Sequence, residues 1–157
     1  MAEIFFDHIS LFDGLDVSQR ALLRPLFEPC HCETDQIIFH QGDRADYLYV
    51  VVEGEVCIEY KPDDGPVLPV TKVSAGHVFG WSAVLGSESY TSRAICETDC
   101  ALMRVRGVDL KSLCDKYPDT GILILENLAA VIAERLRGTH TQVVSLLRYG
   151  LTNSVGS

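Results

Sequence analysis

The segment Val78-Phe79-Gly80-Trp81-Ser82-Ala83-Val84-Leu85-Gly86 runs on into Ser87-Glu88-Ser89-Tyr90-Thr91-Ser92-Arg93-Ala94. An apolar strand ends at a glycine, a turn of small residues follows, and a hydroxyl-rich strand returns. A turn of this kind suits capture of an anion by backbone N–H groups. The flanking sequence predicts a barrel that presents the segment, closed over by a long helix.

Upstream, Cys30 and Cys32, then Ile37-Ile38-Phe39 and Tyr47-Leu48-Tyr49-Val50-Val51-Val52, are strand-like runs cut by Gly42 and Gly54. Glu53-Gly54 followed by Val56, Ile58 and Tyr60 signals a hairpin. Lys61-Pro62-Asp63-Asp64-Gly65-Pro66 reads as an exposed turn, and 67–73 returns as another strand. Ser74-Ala75-Gly76-His77 leads into the opening segment, and 90–96 and 100–105 read as the last two strands. Seven or eight short strands with glycine-rich turns predict a small barrel or jelly roll. Gly42, Gly54, Gly76 and Gly80 are expected at turns with positive φ.

The ends of the chain have helical spacing instead. Ile4, Phe5, Ile9, Phe12 and Leu15 suggest one or two short turns, and Asp16-Val17-Ser18-Gln19 starts a helix continued by Leu22, Leu23, Leu26 and Phe27. Pro25 predicts that this helix is short or kinked. Beyond the barrel, 108–117 fits a short helix, and Pro118 with Asp119 and Thr120 opens a longer one. Its apolar stripe is Leu125, Leu128, Ile132, Leu136, Val143 and Leu147. A helix from 118 to about 149 would be roughly 45–50 Å long. That exceeds what a small barrel can cover, so part of the stripe is expected to meet a second copy. Gly138 marks a possible bend, and the polar tail 151–157 is expected to fray. The expected organisation is one domain, with residues 1–117 forming the barrel and N-terminal helices, and 118–157 the long helix and tail.

The chain has 157 residues, 47% hydrophobic and 22% charged, with a formal charge of −9. This suits a globular domain and disfavours direct binding of nucleic acid, which asks for a basic face. The start lacks a basic signal-peptide region, and the apolar run 122–132 is interrupted by Glu126 and Asn127. A cytoplasmic protein with no membrane span is therefore expected. Six cysteines (30, 32, 57, 96, 100 and 114) are expected as reduced, mostly buried thiols. Cys30-His31-Cys32, with His40 nearby, lacks metal-knuckle spacing, so no metal is expected. His40 and His77 read as barrel-rim residues. No nucleophile–base arrangement and no Walker-type loop stands out, so the chain does not read as an enzyme.

The pattern resembles the cyclic-nucleotide-binding domain of the catabolite activator protein family. The residues that carry it are Gln41-Gly42-Asp43-Arg44-Ala45-Asp46-Tyr47-Leu48-Tyr49-Val50-Val51 with Gly54, and Gly76-His77-Val78-Phe79-Gly80. Thr98-Asp99-Cys100 and Leu136-Arg137-Gly138-Thr139 extend it over nearly the whole chain. The resemblance implies a mostly β fold with flanking helices: a double-stranded β-helix (jelly roll) barrel plus a long C-terminal dimerisation helix. It also implies a ligand, cAMP, cGMP or another nucleotide, lying against Phe79, Gly80, Trp81, Ser82, Ala83, Tyr90, Thr91 and Ser92, with Thr139 and His140 reaching it from the helix.

Two positions depart from the family pattern. Members that bind cAMP carry a glutamate for the ribose 2′-hydroxyl where this chain has Trp81, and a phosphate-binding arginine where it has Tyr90. Losing a charged phosphate partner costs about 2–5 kcal/mol, a hundredfold or more in affinity. Trp81 is either a stacking platform or a filler of the vacated space, and Tyr90 either a donor or a plug. Arg93 falls on the opposite face of an alternating strand and would substitute only with a shifted register. Thr91 stands where relatives selecting cGMP often carry threonine. The expected function is a stand-alone bacterial-type sensor that signals through its dimer helix. The alternatives are a degenerate, non-binding dimeric module for a protein partner, or the sensor half of a transcription regulator. With seven residues past Gly150 in this sequence, too few for a helix-turn-helix, direct DNA binding is not expected.

Overall fold

Alternating apolar residues between positions 27 and 106 fold as eight strands in two antiparallel four-stranded sheets. The computed structural model of the chain describes residues 9–61 and 68–155, with the side chains of 68–70, 136 and 138–155 outside the description. The strands are β1 (Phe27–Cys32), β2 (Ile37–Phe39), β3 (Tyr47–Glu53), β4 (Val56–Tyr60), β5 (Leu68–Val73), β6 (Val78–Phe79), β7 (Arg93–Cys96) and β8 (Cys100–Arg106). One sheet has the order β1-β8-β3-β6 and the other β2-β7-β4-β5. They share one core, in the jelly-roll arrangement of a double-stranded β-helix.

Strand β3 shows why helices must join this barrel. Side chains alternate between the two faces of a strand, so a run buried on both sides must be apolar throughout. Tyr49 and Val51 point into the space between the sheets, among Phe39, Ile58, Val73 and Leu102. Leu48 and Val50 point the other way, into a second core with Phe12, Leu23, Leu110, Ile124 and Leu128. The first sheet is thus covered on one face by the second sheet and on the other by helices.

Those helices are α1 (Val17–Leu23), α2 (Gly107–Lys116) and α3 (Pro118–Val155). Asp16 caps α1 as expected: its carboxylate accepts from the Gln19 N–H at 2.8 Å, and the Gln19 side chain accepts from the Asp16 N–H at 3.0 Å. Pro25 ends that helix in a 3-10 turn over Arg24–Leu26. A second such turn, Ser10–Phe12, is held to α3 by Asn127, whose amide donates to the carbonyls of Leu11 and Asp13 at 2.9 and 2.8 Å. All six cysteines are free thiols; Cys32, Cys57, Cys96 and Cys100 are buried, and Cys30 and Cys114 half-buried. Burial pushes the Cys32 thiol up to about 11, and that of Cys96 still further.

Several expectations change. The strand expected over 90–96 begins only at Arg93, because the Tyr90 backbone pairs with the preceding loop. Its N–H donates to Asp43 at 2.9 Å, and its carbonyl accepts from Gly42 at 2.8 Å. Helix α3 runs unbroken past Gly138 and on to Val155, where a frayed tail was expected. Its apolar stripe also divides. Leu128 is buried in the chain's own core and Ile132 packs on that core, whereas Ile122 and Leu125 lie about half exposed. Leu128 is therefore an intramolecular core residue and not a contact to a second copy. Ile4, Phe5 and most of the 61–66 turn lie outside the described residues, as do the side chains of Leu136, Thr139, His140, Val143 and Leu147. Among the described residues no helix is long and apolar enough to cross a membrane.

If Leu128 anchors α3 to the barrel, Leu128→Ala should destabilise the fold by about 2–5 kcal/mol in urea denaturation. A cost below about 1 kcal/mol would contradict the assigned packing.

Candidate functional site

The opening segment forms one wall of a cavity of about 330 Å³ between the barrel and α3. Strand β6 ends at Gly80, whose φ of +79° is the left-handed region that glycine enters without penalty. A Cβ at Gly80 would stand 3.1 Å from the Tyr47 carbonyl oxygen and 3.3 Å from the Tyr49 ring, so the position is tight as well as left-handed. A 3-10 turn, Trp81–Ala83, follows. The Ala83 N–H donates to Gly80 at 3.3 Å and the Val84 N–H to Trp81 at 2.9 Å, while the Ser82 N–H takes no part in these turn bonds. The turn is seated on α2, because Gly107 packs so closely beneath it that any Cβ there would collide with the Ala83 carbonyl.

Phe79, Gly80, Trp81 and Ser82 line the cavity, and Tyr90, Thr91 and Ser92 line it from the returning segment. Ala83 does not: it is buried against Gly107. The Tyr90 ring stacks on Phe39 with centroids 3.6 Å apart and planes 10° apart. Its hydroxyl donates to the Tyr47 carbonyl at 2.6 Å and accepts from the Tyr47 N–H at 3.0 Å. Both Tyr90 bonds therefore lock the returning segment to the start of β3. Burial raises its phenol pKa well above the ordinary tyrosine value. Arg93 points elsewhere, bonding Glu59 on β4 through Nε at 2.9 Å.

One residue of the cavity was missed in the sequence. Arg135, on α3, stands with its guanidinium carbon 4.7 Å from the centre of the Trp81 ring and donates to the Val78 carbonyl at 2.9 Å. It is the sole charged side chain among the described lining residues. Burial holds its pKa below the usual arginine range, yet a guanidinium stays protonated at neutral pH. A signal existed: Ile124, Leu128, Val131 and Arg135 follow helical spacing along the face turned to the barrel. A cation continuing an inward apolar face must meet a partner or a ligand. Among the described residues, no group of three or more His, Cys, Asp or Glu is placed to hold a metal ion.

Comparison with known proteins bears on this cavity. The cyclic nucleotide-binding domain family model matches residues 29–117. The cAMP-activated global transcriptional regulator of Pasteurella multocida is 27% identical over 130 residues, 80% of this chain and 60% of that protein. The Thermus thermophilus catabolite activator protein superposes with a TM-score of 0.73 at 27% identity, over 87% of this chain and 62% of that one. A cyclic nucleotide-binding domain from Methylobacillus flagellatus matches in fold, with a TM-score of 0.82 at 18% identity, covering 92% of this chain and 85% of the other. The chain spans about 60% of the length of the curated regulator it matches.

The Tyr90 link can be tested directly. Tyr90→Phe leaves the Tyr47 backbone groups without their partner, and a loss of about 1–3 kcal/mol is expected in denaturant titration. Because the folded pKa is raised, folded chains hold this proton more tightly than unfolded ones. Stability should be level below the unfolded value of about 10 and fall as pH rises above it. The decline should be shallower in Tyr90→Phe; an unchanged slope would refute the link.

Proposed function

We propose, because this chain belongs to the cyclic nucleotide-binding domain family, that its barrel is a non-catalytic sensor pocket for a cyclic nucleotide or related small anion. The observation that carries this reading is Arg135, a cation delivered into the cavity by α3 and not by the barrel. In this reading the guanidinium takes the phosphate, the Ser82 N–H and the hydroxyls of Ser82, Thr91 and Ser92 assist, and Trp81 gives a flat face for the base. Thr139 and His140, one turn further along α3, are proposed to reach the same ligand. The cavity volume is at the lower end of the roughly 300–1,000 Å³ typical of small-molecule sites, which suits a mononucleotide better than a cyclic dinucleotide.

Signalling would follow from the same placement. A ligand that recruits Arg135 competes with the Val78 carbonyl and the Trp81 face, so occupancy changes how α3 is held. Differential affinity for two helix positions is what a ligand needs to shift a conformational equilibrium. The outer face of α3, with exposed Ile122, Leu125, Ala129 and Ala133, is the surface we propose for a second copy. Leu136, Val143 and Leu147 would extend it. The comparison with longer regulators also supports a role as the sensor part of a transcription regulator. One observation favours a non-binding interaction module: both Tyr90 bonds are internal, so Tyr90 acts as a plug where a phosphate would sit.

Thermal-shift and calorimetric titration with cAMP and cGMP separate these readings. A ligand at ten times its Kd should raise the melting temperature by about 3–5 °C, and Arg135→Gln should abolish the shift. Silence from both nucleotides at millimolar concentration would leave the interaction module as the surviving reading.

A further inference from the structure

Four of the thiols lie together in a part of the barrel that shares no described lining residue with the cavity beside Arg135. Cys30 and Cys32 are on β1, Cys96 on β7 and Cys100 on β8. Cys32, Cys96 and Cys100 belong to the core between the sheets, and Cys30 packs against it with its Sγ 4.0 Å from that of Cys32. Buried thiols are ordinarily inert. Here a second cavity, of about 440 Å³, reaches them: Cys32 and Cys100 both line it, with His31, Gln36 and Asp99 around its wall. A small polar oxidant has room to enter.

Backbone register decides which of these thiols can be joined. Cys32 and Cys100 are directly opposite each other in the antiparallel β1–β8 pair. Residues so placed have Cα atoms about 4.5–5.5 Å apart, within the roughly 4.4–6.8 Å that a disulfide spans. Cys30 and Cys32 are two residues apart on one strand, about 6.4–6.8 Å between Cα atoms, and closing that gap would buckle β1. Cys96 pairs with Val56 on the other sheet and faces neither Cys32 nor Cys100 across a strand pair. The Cys100 thiol donates to the Thr98 and Glu55 carbonyls at 3.3 and 3.4 Å. Such S–H bonds are weak, and a turn about χ1 toward Cys32 releases them.

We propose that Cys32 and Cys100 form a reversible oxidation site, joined by a disulfide when hydrogen peroxide enters the second cavity. One thiol sulfur attacks a peroxide oxygen and breaks the O–O bond, giving a sulfenic acid and one water. The other thiol attacks that sulfur, displaces its hydroxyl as a second water and completes the S–S bond. Two electrons pass from the thiol pair to the peroxide, and both thiol protons leave in water. The bond ties β1, an edge strand, to β8. It does not depend on whether the Arg135 cavity binds a nucleotide.

The test treats the full folded chain with hydrogen peroxide, blocks the remaining thiols with iodoacetamide before unfolding, and maps tryptic peptides by mass. Cys30 and Cys32 share the peptide 21–44, and Cys96 and Cys100 share 94–104. The expected product is these two peptides joined, lighter by two hydrogen atoms than their sum and separated again by dithiothreitol. Cys30→Ser and Cys96→Ser should keep the link, and Cys32→Ala and Cys100→Ala should abolish it. Peptides that stay separate in the unsubstituted chain would overturn the proposal, whatever the variants do. So would a link lost in Cys30→Ser or Cys96→Ser, or one that survives in Cys32→Ala or Cys100→Ala.

Discussion

Burial of one sheet on both faces is the constraint that the rest of the molecule obeys. The β1-β8-β3-β6 sheet places Tyr49 and Val51 toward the opposing sheet and Leu48 and Val50 toward the helices. A two-sided apolar sheet cannot be left open to water, and closing it costs the chain freedom on both sides. The second sheet provides one cover, and the N-terminal turns with α2 and the first turns of α3 provide the other. The cavity lies where these covers meet, so it is bounded by barrel strands on one side and helix α3 on the other.

That position shows what holds each wall of the cavity in place. The turn at Gly80 is fixed by its left-handed backbone, by crowding from Tyr47 and Tyr49, and by Gly107 packed beneath Ala83. The returning segment is fixed by the Tyr90 hydroxyl on both Tyr47 backbone groups. With the barrel side locked by neutral contacts, the cavity's positive charge comes from Arg135 on the helix. Any anion would then bind across the joint between two covers of the core, where its contacts bear on helix placement.

Much of this was legible beforehand, for identifiable reasons. The 2-residue and 3.6-residue periods show directly in Tyr47 to Val52 and in Ile124, Leu128 and Val131, because burial selects apolar residues at those intervals. The Asp16–Gln19 cap and the break at Pro25 are local and depend on few neighbours. The start of β7 was not legible. It depends on a loop at Gly42 and Asp43, some fifty positions earlier, taking the backbone bonds of Tyr90. Leu125 and Leu128 look alike in sequence, yet one is half exposed and the other buried.

By itself, then, the sequence determined most of the strands, their glycine turns, the helix capped at Asp16 and the presence of Trp81 and Tyr90 around the turn, since these are matters of residue type and short-range spacing. Only the tertiary structure decided that Tyr90 bonds inward to Tyr47, that Arg93 is taken by Glu59, and that Arg135 enters the cavity over Trp81. Each of those outcomes joins residues more than thirty positions apart. Periodicity can assign a side chain to a face, but which distant group that face meets is set by how the sheets and helices close around their shared cores.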